Sequence, residues 1–157
     1  MSYLLLKTLH IISATVLLGT GAGIAFFMAM AHRARDLRAL QVVTRHVVLA
    51  DWLFTAPAVV VQPLTGFLLM RELGWPMHGA WLQAVLGLYI LVGCFWLPVV
   101  WIQHRLAVLA RQAVAIEALD AAYWRLYRLY RLWLALGVPA FAAVIFLVWL
   151  MVAKPWL

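Results

Sequence analysis

The sequence predicts an all-α fold, a four-helix transmembrane bundle, and three observations carry that expectation. Hydrophobic residues make up 68% of the 157 and charged residues 11%, far from the balance of a soluble domain. The apolar residues gather into four stretches, each exceeding the ~20 residues that ~30 Å of hydrocarbon requires. Nearly all the charge lies between those stretches. No polar segment is long enough to fold apart from them, so residues 1–157 read as one transmembrane domain.

The first span covers about 4–30. No basic region precedes it and no small-residue cleavage site closes it, so it is expected to be a retained helix and not a removed signal peptide. Gly19 and Gly23 form a small-xxx-small pair that would admit a close neighbouring helix. The second span, about 47–70, holds Pro57 and Pro63, which should bend or loosen it. Thr55, Gln62 and Thr65 are within reach of the carbonyls those prolines free. The connection from Arg71 to Gly79 is short and contains Gly and Pro, so spans two and three form a tight hairpin.

The third span runs over about 81–103 and contains Pro98; the fourth runs over about 132–152 and contains Pro139. Between them, 105–131 keeps a helical pattern without Gly or Pro. Arg125, Arg128 and Arg131 interleave there with Tyr123, Tyr127 and Tyr130. That pattern predicts a helix leaving the membrane and another lying near the headgroups, with Arg and Tyr snorkelling.

Orientation follows from the basic residues. Arg33, Arg35, Arg38, Arg45, Arg105, Arg111, Arg125, Arg128 and Arg131 lie in connections one and three, against Lys7, Arg71 and Lys154 on the other side. The excess places connections one and three in the cytoplasm and both termini on the external, periplasmic side of a bacterial inner membrane. The net charge of +7 is then a topology signal with attraction to anionic headgroups, and not a nucleic-acid surface. Cys94 is the single cysteine. It excludes an internal disulfide, a Cys-rich iron–sulfur site and C-x-x-C-H haem attachment. No nucleophile elbow, phosphate loop, dinucleotide fingerprint or paired-carboxylate site occurs, so any chemistry would rest on a cofactor.

The residues of interest are the polar ones at membrane depth, where each has a cost. His10 lies about two turns inside the first span. Ala14 and Gly21, along its face, are small and would leave room for a flat macrocycle whose iron takes the imidazole. The alternative is a neutral His hydrogen-bonded across the bundle. A second axial ligand would come from His78 in the hairpin, or less favourably from Met70, Met77 or Met151. At the opposite membrane face His32, His46, His104 and Asp51 could hold a divalent metal or a haem. Otherwise Asp51 would pair with His46, Arg45 or an indole N–H, or relay protons. Gln62 and Gln103 would bond between helices, or contact a quinone carbonyl or a haem propionate. Of the nine tryptophans, Trp75, Trp81 and Trp156 suit the external belt and Trp52 and Trp101 the internal one.

The segments Leu4-Leu-Leu-Lys-Thr-Leu-His-Ile-Ile12, Ala50-Asp-Trp-Leu-Phe-Thr-Ala-Pro57, Gln62-Pro-Leu-Thr-Gly66, Trp96-Leu-Pro-Val-Val-Trp-Ile-Gln103 and Leu150-Met-Val-Ala-Lys-Pro155 resemble a bacterial family of predicted integral membrane proteins without an assigned activity. A more distant similarity is to HemJ, the membrane protoporphyrinogen oxidase, and to CopD-type membrane domains. It rests on Lys7, Leu9, His10, Ile11 and Ile12, and on Gly74-Trp-Pro-Met-His78, which has one residue more than the HemJ pattern. The basic residue that follows the hairpin His in that pattern is replaced by Gly79-Ala-Trp. HemJ is a haem-b protein, so this resemblance implies His10, and after it His78, as haem-side residues.

The leading expectation is therefore a b-type haem membrane protein with a redox or electron-transfer role. His10 and His78 would serve the iron, and Gly21, Ala14, Gln62 and Thr65 would surround the cofactor, with a quinone as a further ligand. One alternative is a cofactor-free accessory or assembly subunit of a larger membrane complex. The other is a proton or metal-ion pathway through Asp51, His46 and His104. The bilayer is the expected partner, with a membrane redox protein, a larger complex or a second copy of the chain left open.

Overall fold

The computed structural model describes residues 2–76, 78–115 and 119–154. Every regular element among them is helical: α1 (Tyr3–Ala34), α2 (Leu37–Ala50), a π-helical turn (Asp51–Thr55), α3 (Ala56–Glu72), α4 (Ala80–Ala115) and α5 (Leu119–Ala153). Four helical rods are long and apolar enough to cross a membrane, because α2, the π turn and α3 run as one rod over Leu37–Glu72. Met77 and Trp156, read from sequence as an iron ligand and a belt residue, lie outside the described residues.

The first connection shrinks to two residues. Arg35 takes a left-handed conformation (φ 53°) that ends α1, and Asp36 caps α2 by accepting the Arg38 N–H at 2.8 Å; such an N-cap satisfies one of the helix's free donors. In α2, Leu37, Leu40, Thr44 and Val47 are buried at helical spacing while Arg38, Arg45 and His46 are exposed. This amphipathic stretch therefore begins the second rod ten residues before its apolar core. At the other end Gly74 (φ 65°) closes α3 with a Schellman pattern, Trp75 N–H to Met70 O at 3.0 Å and Gly74 N–H to Arg71 O at 3.2 Å. A Cβ would be strained at that φ, hence glycine.

The third connection differs from its expected form. α4 continues to Ala115 and α5 is already helical at Leu119, so the Arg- and Tyr-bearing segments extend the spans and no separate surface helix is found among the described residues. The 36 residues of α4 make a rod of about 54 Å, which overshoots ~30 Å of hydrocarbon by ~20 Å. The main core lies toward this basic end, where Met28, Leu40, Ile102, Leu106, Ala110 and Leu126 are almost fully buried. A smaller core of Met70, Trp81, Val85 and Leu150 holds the hairpin end. There Trp81 donates its indole N–H to Leu150 O at 2.9 Å, and the Lys154 ammonium lies 4.4 Å from the Trp75 ring centre.

Packing changes along the second rod. α2 packs on both α1 and α4, whereas α3 packs on α1, and α4 pairs with α5. The π turn sits where this change occurs. Pro57 follows it at the start of α3. A proline ring clashes with the carbonyl four residues back and offers it no N–H; here the Ala56 N–H reaches Asp51 O, five residues back, in the wider π pattern. Pro63, Pro98 and Pro139 lie inside α-helices that continue past them. Among the described residues nothing lies within 4 Å of where a Cβ would stand at Gly19 or Gly23.

Candidate functional site

One face of the second rod collects its polar residues. Asp51, Thr55, Ala58, Gln62 and Thr65 follow at intervals of four, three, four and three, the spacing of a single helix face. Asp51, Thr55, Ala58 and Thr65 are buried and Gln62 half-buried, while Trp52, Leu53, Phe54, Val60, Leu64 and Phe67 are exposed on the sides that meet lipid. Asp51 and Thr65 are 14 residues apart, about 21 Å along the axis. The face thus carries two polar islands at two depths.

The island nearer the hairpin joins this rod to α1. Thr65 donates its hydroxyl to Val61 O at 2.7 Å and accepts from His10 Nδ1 at 2.9 Å. The other ring nitrogen, Nε2, accepts from the Gln62 amide Nε2 at 3.2 Å. Ser13, one turn on from His10, donates to Gln62 Oε1. This assignment places the His10 proton on Nδ1 and makes the ring neutral. Each ring nitrogen then has one partner. Gly66 completes the fit, since a Cβ there would stand 3.3 Å from His10 Cε1. The sequence pattern singles out His10, Gln62 and Thr65; Ser13, three residues after His10 and so on the same face, joins them only in the fold.

These surroundings do not fit a haem. Nδ1 is tied to Thr65 as an axial histidine's would be, but the nitrogen left for iron is occupied by Gln62. Gly66 lies against the ring edge, and the Phe141 ring fills the space beside Gly21, 3.4 Å from where a Cβ would be. Ala14 is half-buried on α1. His78 is exposed in the hairpin, lining a cavity of about 80 Å3 with Met70, Trp75 and Trp81, and none of His10's partners lines it. Met151 packs on the smaller core beside that cavity.

The second island lies in the half toward the basic end. Asp51 is 5% exposed, Thr55 7% and Gln103, from α4, 2%. Thr55, one turn on, and Gln103 stand within hydrogen-bonding reach of the carboxyl. Yet Asp51 Oδ2, Thr55 Oγ1 and Gln103 Oε1 are all buried without a hydrogen-bond partner. The π turn accounts for the threonine. Thr8, Thr15, Thr44 and Thr65 each donate to the carbonyl four residues back, at 2.7–2.9 Å. At Thr55, inside the π turn, that carbonyl belongs to Asp51 and accepts the Ala56 N–H five residues on; the widened turn departs from the regular geometry in which the other four hydroxyls bond, and the Thr55 hydroxyl makes no such bond.

The other polar residues expected at this depth go elsewhere. His46 and Arg45 are exposed on α2, away from the buried face that carries Thr44 and Val47. His32 is buried on α1, donating from Nδ1 to Met28 O (3.0 Å) and stacked 3.8 Å from the Tyr130 ring on α5. The expected metal set of His32, His46, His104 and Asp51 is therefore not assembled. Among the described residues no three His, Cys, Asp or Glu side chains come together as a metal would need. The indole partner expected for Asp51 is not made either, since the Trp96 and Trp133 N–H groups are buried without partners.

Residues 4–155 match the family described as Predicted integral membrane protein (DUF2269). No curated protein and no solved structure matches the chain.

Proposed function

We propose that this chain, which belongs to the DUF2269 family of predicted integral membrane proteins, binds and moves a monovalent cation, the proton included, through the bilayer. The observation that supports this is Asp51, a carboxyl buried at membrane depth in a π turn with an oxygen unpartnered. An unpaired charge in such a place costs several kcal/mol, and ionisable residues at membrane depth mark ion and proton paths. π turns recur at functional sites for a related reason: they hold the backbone out of its lowest-energy ladder.

In this reading Asp51 takes up the cation from the basic end, beside His104, which is exposed. Thr55 and Gln103 hold the carboxyl and lend it oxygen atoms. The same rod face continues through Ala58 to Gln62, Thr65 and His10, whose hydrogen bonds run in one direction from Ser13 to Val61 O. By the excess of arginine, the basic end faces the cytoplasm of a bacterial inner membrane.

The test is flux into vesicles of the reconstituted protein, driven by an imposed membrane potential and read by pH- and sodium-sensitive dyes. Wild-type protein should carry current that Asp51→Asn reduces to the level of protein-free vesicles. Flux indifferent to Asp51→Asn would sink the proposal. So would purified protein with a Soret band that His10→Ala abolishes, because the HemJ-like haem reading would then describe the centre.

A further inference from the structure

We infer that the groove between α1 and α3 at the hairpin end binds one phospholipid with a primary-amine headgroup, of the phosphatidylethanolamine class. A cavity of about 440 Å3 opens there, lined by Leu6 of α1 and by Leu68, Arg71 and Glu72 of α3. Leu6 is 3% exposed and forms an apolar floor, while Leu68, Arg71 and Glu72 are exposed at the rim. The apolar run of the second span ends at Met70, so the two charges stand where hydrocarbon gives way to headgroups. Leu64 and Leu68, one turn apart and exposed, continue from the rim as an apolar track for acyl chains. The groove lies at the other end of the second rod from Asp51 and owes nothing to the transport reading.

The signs of the two charges select the occupant. Consecutive helix positions do not face each other, so Arg71 and Glu72 line one cavity without closing on one another. The guanidinium matches a phosphate, which it can hold with paired N–H donors. Glu72 is the one acidic residue between Asp51 and Glu117, and at this level a carboxylate is repelled by the phosphates of anionic lipids. The other cations of this end lie over aromatic rings, Lys7 5.6 Å from the Tyr3 centre and Lys154 4.4 Å from that of Trp75. An ammonium tethered to the phosphate supplies the missing charge. Phosphatidylglycerol carries no such cation. Phosphatidylcholine carries one, but its quaternary nitrogen has no proton to give Glu72. A primary ammonium has three.

The experiment uses the full chain in neutral detergent, titrated with phosphatidylethanolamine, phosphatidylcholine or phosphatidylglycerol of identical acyl chains. Bound lipid is counted by native mass spectrometry, and thermal unfolding is followed in parallel. One phosphatidylethanolamine should bind saturably and raise the unfolding temperature. The other two lipids should bind about tenfold more weakly, the loss of one charge-assisted hydrogen bond. Glu72→Gln should abolish the preference for the primary amine, and Arg71→Gln should weaken all three lipids. Leu68→Trp, which fills the groove from its exposed rim, should reduce retention while the lipid-free unfolding temperature stays at the wild-type value. Equal binding of the three lipids would overturn the inference, and so would a preference that survives Glu72→Gln. Tighter binding of phosphatidylglycerol would also defeat it, because Arg71 would then act as a plain basic anchor. Asp51→Asn should keep the lipid preference, so failure of the cation path and failure of this site are read separately.

Discussion

The two polar islands on the second rod are built from similar residue types and end in opposite states. Around His10 each ring nitrogen has a partner, and the chain of donors closes on a backbone carbonyl. Around Asp51 a carboxyl oxygen, the Thr55 hydroxyl and the Gln103 amide oxygen are buried without a partner. The local backbone separates the cases. Thr65 stands in a regular helix and bonds Val61 O, which fixes its lone pairs toward His10. Thr55 stands in a π turn and loses that bond. A satisfied network in lipid locks two helices together; the unsatisfied one is where the proposed cation path would act.

The sharpest way to break the comparison is to exchange charge in one island and shape in the other. Asp51→Asn should remove all cation flux from reconstituted vesicles, yet its unfolding free energy should stay within about 1 kcal/mol of the parent or rise, because a buried charge is relieved. His10→Ala should do the reverse, costing about 2–3 kcal/mol in detergent unfolding by leaving the Gln62 amide N–H without its acceptor and a cavity beside Gly66. A His10→Ala protein as stable as wild type would show that the outer island is not a lock.

The paired threonines refine it further. Thr65→Val should cost about 1–2 kcal/mol, since the His10 Nδ1 proton loses its acceptor, while Thr55→Val should change stability by less than about 0.5 kcal/mol. Equal losses at both positions would mean that Thr55 is bonded after all. The smallest effect expected is at Gly66. A methyl 3.3 Å from His10 Cε1 should press the ring from its partners and cost about 1 kcal/mol, read as a lowered unfolding temperature that His10→Ala abolishes in the double mutant.

Much of the outer island was legible before folding, and little of the inner one. His10, Gln62 and Thr65 stand out as polar residues in apolar runs, and their depths match when the spans are drawn antiparallel. What the residue types left open was whether they bond a cofactor or one another, because that depends on Gly66 and Phe141 filling the space. At the inner island the expected partners of Asp51 were His46, Arg45 and indole groups, all near it in sequence or plausible by depth. The rotation of α2 turns His46 and Arg45 outward and brings Gln103 of α4 against the carboxyl instead. Pro57 hinted at a disturbed helix, but hydropathy carries no sign of a π turn.

Sequence alone determined the four membrane-crossing rods, the end that carries the arginines and the short list of polar residues in hydrocarbon, because transfer to lipid is a per-residue cost that adds along a chain. Tertiary structure decided which polar atoms find partners. Hydrogen bonds depend on ångström distances and on the rotation of each helix about its axis, and a single widened turn at Asp51–Thr55 sets both for the residues around it.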